Sequence, residues 1–472
     1  MMTMALASLT IGASCARNNP EASRVLDDLR ARGLISDADY TGSSATADPS
    51  PARDLEAPND PRVDALPADG PLDLAALFAA ADRANPRLAA ARAAVGEAGG
   101  RAWQAALAPN PTVELEVENA RLKDGGLGDV ETTIGVAQPI RSADRRRAAA
   151  AEGRSRMTAE EHAFDATRRA IHADILRALV EYAYADAAAR RHENLLDFAG
   201  RTLELAEGRF ERRAAPESDV IRARVESNEL ELGAEEQRGL GAASLARLET
   251  LLGGTTIDPT RLDLEFAHAL AAFTPPALDE IKQDLSDEHP ALQAARAQIE
   301  VAEATLELER ERRADDPTIR AGLGYAHGDD DLFLEAGVGV PWPLYDRNQG
   351  AVLAARFAVI RARREADAVA NELLGDLAAS YELWRSTARR LDAFEAQILE
   401  PALRSYEQTR AGYEAGKLAF VDLLDAQRTL ARAELTHLSL ERAVALAVTD
   451  ILAALGPGRA LLEEPPAPGE TP

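Results

Sequence analysis

The sequence repeats itself at a distance of 204 residues, and this duplication restricts the fold more than any other feature. Four positions of the first half have counterparts at this distance in the second half: Leu88 with Leu292, Ala91 with Ala295, Arg92 with Arg296 and Val95 with Ile299. Farther along the chain, Pro139 corresponds in the same way to Pro343. A constant offset across a helical segment and a later proline indicates that one structural unit was duplicated.

Each copy begins with a predicted helix and continues with two alternating segments. The helix follows an Asn-Pro step at Asn85 in the first copy and a His-Pro step at His289 in the second. After the helix, apolar residues alternate with polar residues or glycine on both sides of a polar turn. A period of two over several residues predicts β-strands with one apolar face. Four strands are therefore expected, in two hairpins: Pro111–Arg121, Glu131–Pro139, Pro317–Ala326 and Leu332–Val340.

A proline junction follows each hairpin and leads into a long stretch without proline. The junctions contain Pro139 in the first copy and Pro341 and Pro343 in the second. Proline ends a strand at such a junction because it lacks an N–H donor and has a fixed φ. The stretches that follow reach to Pro216 and to Pro401. As helices they would extend on the order of 100 Å, which is far longer than a globular core requires.

Four strands with one apolar face do not close into a barrel within one chain, because a barrel needs about eight or more strands. Strands from several chains could close one together, with lipid outside and water inside. The sequence contains no apolar run of about 18 residues, so no transmembrane helix is expected. The net charge of −26 disfavours nucleic acid and anionic membrane surfaces as partners.

The two ends of the chain are expected to lie outside the repeats. Residues 1–15 resemble a lipoprotein signal, because a short apolar segment ends at Cys15, and this predicts acylation of that cysteine. The alternatives are an unmodified cysteine or a mis-set start codon, since no Lys or Arg precedes the apolar segment. Residues 16–75 are expected to form an extended N-terminal tether and residues 457–472 a disordered tail. Between them, residues 76–275 and 276–456 are the two predicted repeats.

Two segments of the second repeat resemble a known family. The segments "VGVPWPLYDRNQG" (Val338–Gly350) and "GYEAGKLAFVDLLDAQRTL" (Gly412–Leu430), together with the duplicated arrangement of helix and hairpin, resemble TolC-type outer-membrane efflux proteins. The resemblance covers residues 76–456. The part "PLYDRNQG" resembles more narrowly the CzcC-like and CusC-like heavy-metal branch. The resemblance implies a mainly α chain with a β-barrel part, assembled as a homotrimer with a twelve-stranded barrel and an α-helical tunnel through the periplasm. It also implies a periplasmic adaptor and an inner-membrane resistance-nodulation-division (RND) pump as partners.

The resemblance further implies which residues lie at the periplasmic end of the tunnel. Tyr413, Ala415 and Gly416 would form the helix turn where the adaptor docks, and Gly416 would allow the positive φ that ends the long helix. Asp422 and Asp425 are three residues apart and share a helix face. In a trimer they would surround the entrance with carboxylates that attract cations. The alternative is that both are ordinary solvated residues.

Two positions depart from the family pattern at this turn. The first copy has Arg213 where the second has Gly416. Leu418 stands where some relatives carry an arginine that helps to hold the tip closed, so a lock of that kind is not expected here.

The expected function is that of an outer-membrane channel in a tripartite RND-type system that exports heavy-metal cations. The same duct could serve drugs or secreted proteins, and a different class would be a periplasmic coiled-coil scaffold or adaptor. The seven histidines show no metal-ligand spacing, and no nucleophile lies near a candidate base in a known motif. An enzyme, a cofactor and a bound structural metal are therefore not expected.

Overall fold

The computed structural model describes residues 20–33, 66–67, 70–118, 130–415 and 417–455. The α-helices are α1 (Pro20–Ala31), α2 (Leu74–Ala84), α3 (Pro86–Ala106), α4 (Ala143–Glu211), α5 (Glu217–Leu251), α6 (Glu265–Ala269), α7 (Leu278–Glu288), α8 (Pro290–Glu311), α9 (Gln349–Phe394), α10 (Glu400–Glu414) and α11 (Phe420–Ala454). The strands are β1 (Thr112–Glu118), β2 (Glu131–Pro139), β3 (Thr318–Ala326) and β4 (Asp331–Gly339). The mainly helical fold with four strands that the sequence predicts is confirmed.

Two compact units divide the chain, and we call them the strand unit and the helix unit. The strand unit comprises α1, Ala90–Phe164 and Ala291–Val369. The helix unit comprises Asn59–Ala89, Asp165–Pro290 and Ala370–Pro472. Each unit therefore draws segments from both predicted repeats.

The sheet belongs to the strand unit and consists of two neighbouring hairpins. Its strand order is β1-β2-β3-β4, and all neighbouring strands are antiparallel. The observed strand ends differ from the predicted ones by at most one residue wherever the structure describes them. Residues 119–121, the predicted end of the first strand, lie outside the described residues. The strong period of two explains this agreement, since it fixes which residues can share a face.

Long helices follow both hairpins, as the sequence predicts. Helix α4 has 69 residues and α9 has 46. The helix of the second half does not end at Pro401, because a wide π turn at Glu395–Leu399 connects α9 to α10. Proline at this position cannot donate a hydrogen bond to the preceding turn, and the wider i to i+5 turn accommodates that loss. The helix then continues to Glu414.

The predicted tether of residues 16–75 contains a docked helix, α1. Val25 and Leu29 of α1 are buried in a core formed with small residues of α3 and α4. A Cβ atom on Gly99 of α3 would lie 2.4 Å from a Leu29 methyl group, so glycine makes room for this leucine. Sequence analysis missed α1 because the helix is short and lies next to a segment rich in Pro and Ser.

The Asn-Pro and His-Pro steps have a structural role in the helix unit. The Asn85 side chain accepts the Arg87 backbone N–H at 2.8 Å and donates to the Leu251 carbonyl, at the end of α5, at 2.7 Å. Asn85 thus caps the start of α3 and also ties it to the end of a long helix.

His289, the counterpart of Asn85, makes a similar link to the end of α11. Its buried side chain is hydrogen-bonded to the Ala453 backbone, and Arg169 donates to the Ala453 carbonyl at 2.8 Å. Burial and the nearby charge of Arg169 lower the pKa of His289 to about 4. Burial also lowers the pKa of Arg169, to about 10. His289 is therefore a neutral partner of the helix end at physiological pH.

Candidate functional site

One face of the sheet is apolar across all four strands. Leu115 pairs with Ile134, Ile134 with Leu323, and Leu323 with Leu334, so the four side chains form one row. Each of these side chains is more than half exposed in the single chain. Leu115, Leu323 and Leu334 belong to the apolar positions of the alternating pattern, and the register brings them together on one face.

The opposite face of the sheet is acidic. It carries six carboxylates and one guanidinium: Glu114, Glu116, Glu118, Glu131, Asp331, Glu335 and Arg320. Arg320 lies 3.9 Å from the Glu114 carboxylate. A sheet with these two faces is suited to a boundary between an apolar medium and water.

The prolines of the two predicted strand-to-helix junctions lie at or just beyond the ends of β2 and β4. Pro139 is the last residue of β2, and β4 ends at Gly339, two residues before Pro341. Beyond β4 the chain reaches Asn348, which adopts a left-handed φ of 57° and donates its side-chain N–H to the Glu309 carbonyl at 2.9 Å. This contact connects the start of α9 to the end of α8 within the strand unit.

In the helix unit, Tyr413 lies in the last turn of α10, just before the chain turns into α11. Its hydroxyl accepts a hydrogen bond from Arg209 of α4 at 2.7 Å, and the Arg209 guanidinium lies 5.7 Å from the centre of the tyrosine ring. The ring also packs edge-on against Phe420. Arg209 and Tyr413 are 204 residues apart, so equivalent positions of the two copies contact each other.

The turn itself closes through backbone bonds and an apolar contact. Ala415 donates its N–H to the Ala411 carbonyl at 3.0 Å, and Lys417 donates to the Gly412 carbonyl at 2.8 Å. Leu418 packs on Gly412 so closely that a Cβ atom there would lie 2.6 Å from a leucine methyl group. An apolar contact through Leu418 thus stabilises this turn.

The predicted Gly416 lies outside the described residues. In the first copy, Arg213 adopts a left-handed φ of 58° at the turn between α4 and α5. An L residue rarely adopts this conformation, which glycine adopts readily. Arg213 therefore has the left-handed conformation at the turn of the first copy, although at the offset of 204 residues the counterpart of Gly416 is Arg212.

Asp422 and Asp425 are both exposed in the first turns of α11. The Asp422 carboxylate accepts the Ala419 backbone N–H at 3.0 Å, which satisfies one of the free donors at the helix start. In the described part of the chain, no side chain is hydrogen-bonded to the Asp425 carboxylate. Asp422 thus stabilises the start of α11 in addition to carrying a charge. For Asp425, no hydrogen bond of the carboxylate within the described part of the chain indicates such a role.

A partly buried ion pair lies near this turn. Arg428 of α11 donates to Glu226 of α5, whose side chain is only 7% exposed. Nothing in the local sequence pattern indicates this pair, because the partners belong to different copies of the repeat. Loss of Arg428 would leave the buried Glu226 carboxylate without compensation, whereas Arg428 itself is partly exposed.

Two further expectations concern the membrane. Cys15, the predicted lipidation site, lies outside the described residues. Within the described part of the chain, every helix is too short or too polar to span a bilayer.

A two-faced sheet with long helical hairpins defines a channel-forming protein of the outer-membrane class. Residues 77–254 and 282–457 match the sequence model of the family described as "Outer membrane efflux protein". The chain therefore belongs to this outer membrane efflux protein family, and the predicted resemblance to TolC-type proteins is confirmed.

Individual relatives also support the narrower similarity to CzcC-like and CusC-like proteins. The chain is 29% identical to the cobalt-zinc-cadmium resistance protein CzcC of Cupriavidus metallidurans over 406 residues, which cover 82% of this chain and 91% of that protein. The fold is shared with CusC, with a TM-score of 0.66, 18% identity and coverage of 84% of this chain and 97% of that one. It is also shared with VceC of Vibrio cholerae, with a TM-score of 0.64, 19% identity and coverage of 81% and 96%.

Proposed function

We propose that this outer membrane efflux protein is the exit duct of a tripartite RND-type system and that it exports heavy-metal cations. The observation that carries the proposal is the two-faced sheet. Its apolar row matches lipid, and its opposite face carries six carboxylates against one guanidinium. A duct lined in this way raises the local concentration of cations. The name of the CzcC relative, which reports cobalt, zinc and cadmium resistance, agrees with this substrate class.

The sheet also supports assembly as a homotrimer. Within the described sheet, β1 and β4 each have only one neighbouring strand, so their outer edges require partners. Three copies would supply twelve strands and remove every edge, with Pro139, Pro341 and Pro343 ending the strands where the wall continues as helices. Acylation of Cys15 would attach the N-terminus to the same membrane.

The turns of the long helices are the proposed contact for a periplasmic adaptor. Tyr413 and Ala415 lie at one of these turns, Gly416 follows Ala415 in the sequence, and Arg213 lies at the other turn. Exposed apolar side chains at these turns, Phe210, Leu418 and Val421, offer contact area for a partner. The adaptor would connect the duct to an inner-membrane pump, which supplies the energy for export.

A deletion strain tests the substrate class. Removal of the gene should increase sensitivity to cobalt, zinc and cadmium ions, and plasmid-borne wild type should restore growth. A panel of drugs and dyes serves as the control. Sensitivity to the drugs alone would favour a drug-export duct. Unchanged sensitivity to every compound, in a strain without a second duct of this family, would contradict an export function.

A second prediction concerns ion selectivity at the entrance. We expect the double variant Asp422→Asn, Asp425→Asn to lose cation preference in planar bilayers, because three protomers would contribute six carboxylates at the entrance. Asparagine still offers an oxygen to the Ala419 N–H, so the helix start is retained. The single variant Asp425→Asn separates charge from capping, since only Asp422 contacts the backbone in this way. Unchanged selectivity in both variants, with assembly intact, would show that these carboxylates are ordinary solvated residues.

A further inference from the structure

His437 of α11 lies between two carboxylates of the helix unit. Its Nε2 atom is 2.7 Å from the carboxylate of Glu395, the residue that follows α9, and its Nδ1 atom is 3.6 Å from the carboxylate of Glu441, one turn farther along α11. Among the described residues, no arginine or lysine lies within ion-pair distance of either carboxylate. The group therefore carries uncompensated negative charge whenever the imidazole is neutral.

The two ring nitrogens of His437 have different environments. The contact of Nε2 with Glu395 has the length of a hydrogen bond, and an ionised carboxylate only accepts, so Nε2 carries the proton of the neutral ring. The Nδ1 atom then has a free lone pair on the side of Glu441. A distance of 3.6 Å is too long for a hydrogen bond. The neutral ring thus presents a free nitrogen ligand next to a free carboxylate.

The gap between Nδ1 and Glu441 matches the separation of two ligands on one metal ion. Zinc binds histidine nitrogen and carboxylate oxygen at about 2.1 Å, so two ligands of a tetrahedral site are about 3.4 Å apart. The distance from the His437 Nδ1 atom to the Glu441 carboxylate is 3.6 Å. Residues four apart share one helix face, so both side chains can reach the same ion.

Glu395 holds the ring from its other side. A histidine that binds a metal commonly donates its second N–H to a carboxylate, which fixes the ring and raises its basicity. Glu395 is the first residue of the π turn Glu395–Leu399, and turns of this type are frequent at functional sites. The sequence alone does not indicate this arrangement, because Glu395 and His437 belong to different helical segments.

We propose that His437 and Glu441 bind a divalent transition-metal cation and that Glu395 is the positioning residue of this site. Imidazole and carboxylate ligands suit zinc and its neighbours among the divalent metals. Among the described residues, no third His, Cys, Asp or Glu side chain joins these two as a ligand. Water completes the coordination, and the 28% exposure of the Glu441 side chain admits it. The site is additional to the proposed duct function and agrees with it, because an exported ion must be bound loosely enough to leave again.

His172 of α4 provides a matched comparison in the same unit. Its Nε2 atom also contacts a carboxylate, that of Asp82, at 2.9 Å. Arg168 donates to both oxygens of that carboxylate and compensates its charge. Among the described residues, no second carboxylate lies within ion-pair distance of the His172 ring. A histidine with one carboxylate already paired with arginine is not expected to bind a cation.

Equilibrium dialysis of the purified full-length protein against zinc ions tests the site. We expect wild type to bind one zinc ion per protomer more than either His437→Gln or Glu441→Gln, whereas His172→Gln should bind as much as wild type. Weak binding by other carboxylates is common to all these proteins and cancels in the differences. Gel filtration establishes that each variant assembles as wild type does. Equal zinc binding by wild type and by the His437 and Glu441 variants would overturn the site and leave His437 as an ion-pair bridge.

Variants of Glu395 test its positioning role. Glu395→Ala should weaken zinc binding by about 10-fold or more, as loss of a supporting carboxylate does in other metal sites. Glu395→Gln still offers an oxygen to the Nε2–H group and should recover part of this loss. Equal affinity of wild type and Glu395→Ala would remove Glu395 from the site.

Anomalous diffraction at the zinc edge gives a test that needs no variant. Wild-type crystals grown with zinc should show a peak between His437 and Glu441, and the absence of this peak would contradict the proposal. The deletion strain described above tests the export function separately. Metal sensitivity of that strain without zinc at His437 would retain the duct and reject the site, whereas a zinc site without metal sensitivity would retain the site and reject the proposed substrate class.

Discussion

Replacing Leu115 by arginine should destabilise the membrane-inserted protein by about 2–4 kcal/mol, whereas arginine at the adjacent Glu116 should have a small effect. The two residues are neighbours on β1 and are both exposed in the single chain, but they belong to opposite faces of the sheet. A charged side chain on the lipid face must be buried in hydrocarbon, whereas on the acidic face it remains in water. The free energy of unfolding, measured by urea titration in vesicles, gives both values.

Other positions in the same row provide a further check. Leu323 and Leu334 pair directly with each other and lie in register with Leu115 through Ile134. Arginine at either position should therefore cost about as much as at Leu115. Equal tolerance of arginine at Leu115 and Glu116 would contradict a lipid-facing sheet and would favour a soluble β-domain.

Acidification should weaken the helix unit through His289. Its pKa in the folded protein is about 4, below the ordinary value of about 6.5, so the unfolded chain binds the proton more tightly. The stabilisation by neutral His289 is present above pH 6.5 and is lost as the pH falls toward 4. The linkage relation gives a loss of about 2 kcal/mol between pH 7.5 and pH 5.

The variant His289→Asn tests this prediction, because Asn85 already performs the equivalent role in the first copy. Asparagine does not titrate, so the difference in unfolding free energy between wild type and variant should change with pH by about 2 kcal/mol. Other titrating groups contribute to both proteins and cancel in this difference. If the difference in unfolding free energy between wild type and variant is the same at pH 7.5 and pH 5, then His289 does not cause the loss of stability at low pH.

The sequence predicts the strands and the long helices well for a physical reason. Strand faces follow a period of two, and Leu115, Leu323 and Leu334 could be assigned to one face before their pairing was known. The Asn-Pro step at Asn85 and the His-Pro step at His289 indicated where a helix begins, because proline is favoured at the first position of a helix. These features are local, and local features are visible in a single sequence.

Contacts between the copies were not visible in the sequence. The bond between Arg209 and Tyr413 and the pair formed by Arg428 and Glu226 connect helices far apart along the chain. Arg209 and Tyr413 occupy equivalent positions of the two copies, 204 residues apart. This offset alone does not predict the hydrogen bond between them, because equivalent positions of a repeat need not be in contact. Helix α1 was missed for a different reason, since its stability comes from packing on α3 and α4 and not from its own propensity.

The packing of α1 also determines what a break in the chain would do. Burial of Val25 and Leu29 contributes about 1.5–3 kcal/mol each, independently of the residues that connect α1 to α2. Proteolysis between residues 34 and 65 would make α1 part of a separate peptide, and its loss of translational and rotational freedom, which costs about 4 kcal/mol or more, would offset most of this burial. If Cys15 is acylated as proposed, its fatty acid would then be released together with α1, so attachment of the chain through this lipid depends on an intact connection between α1 and α2.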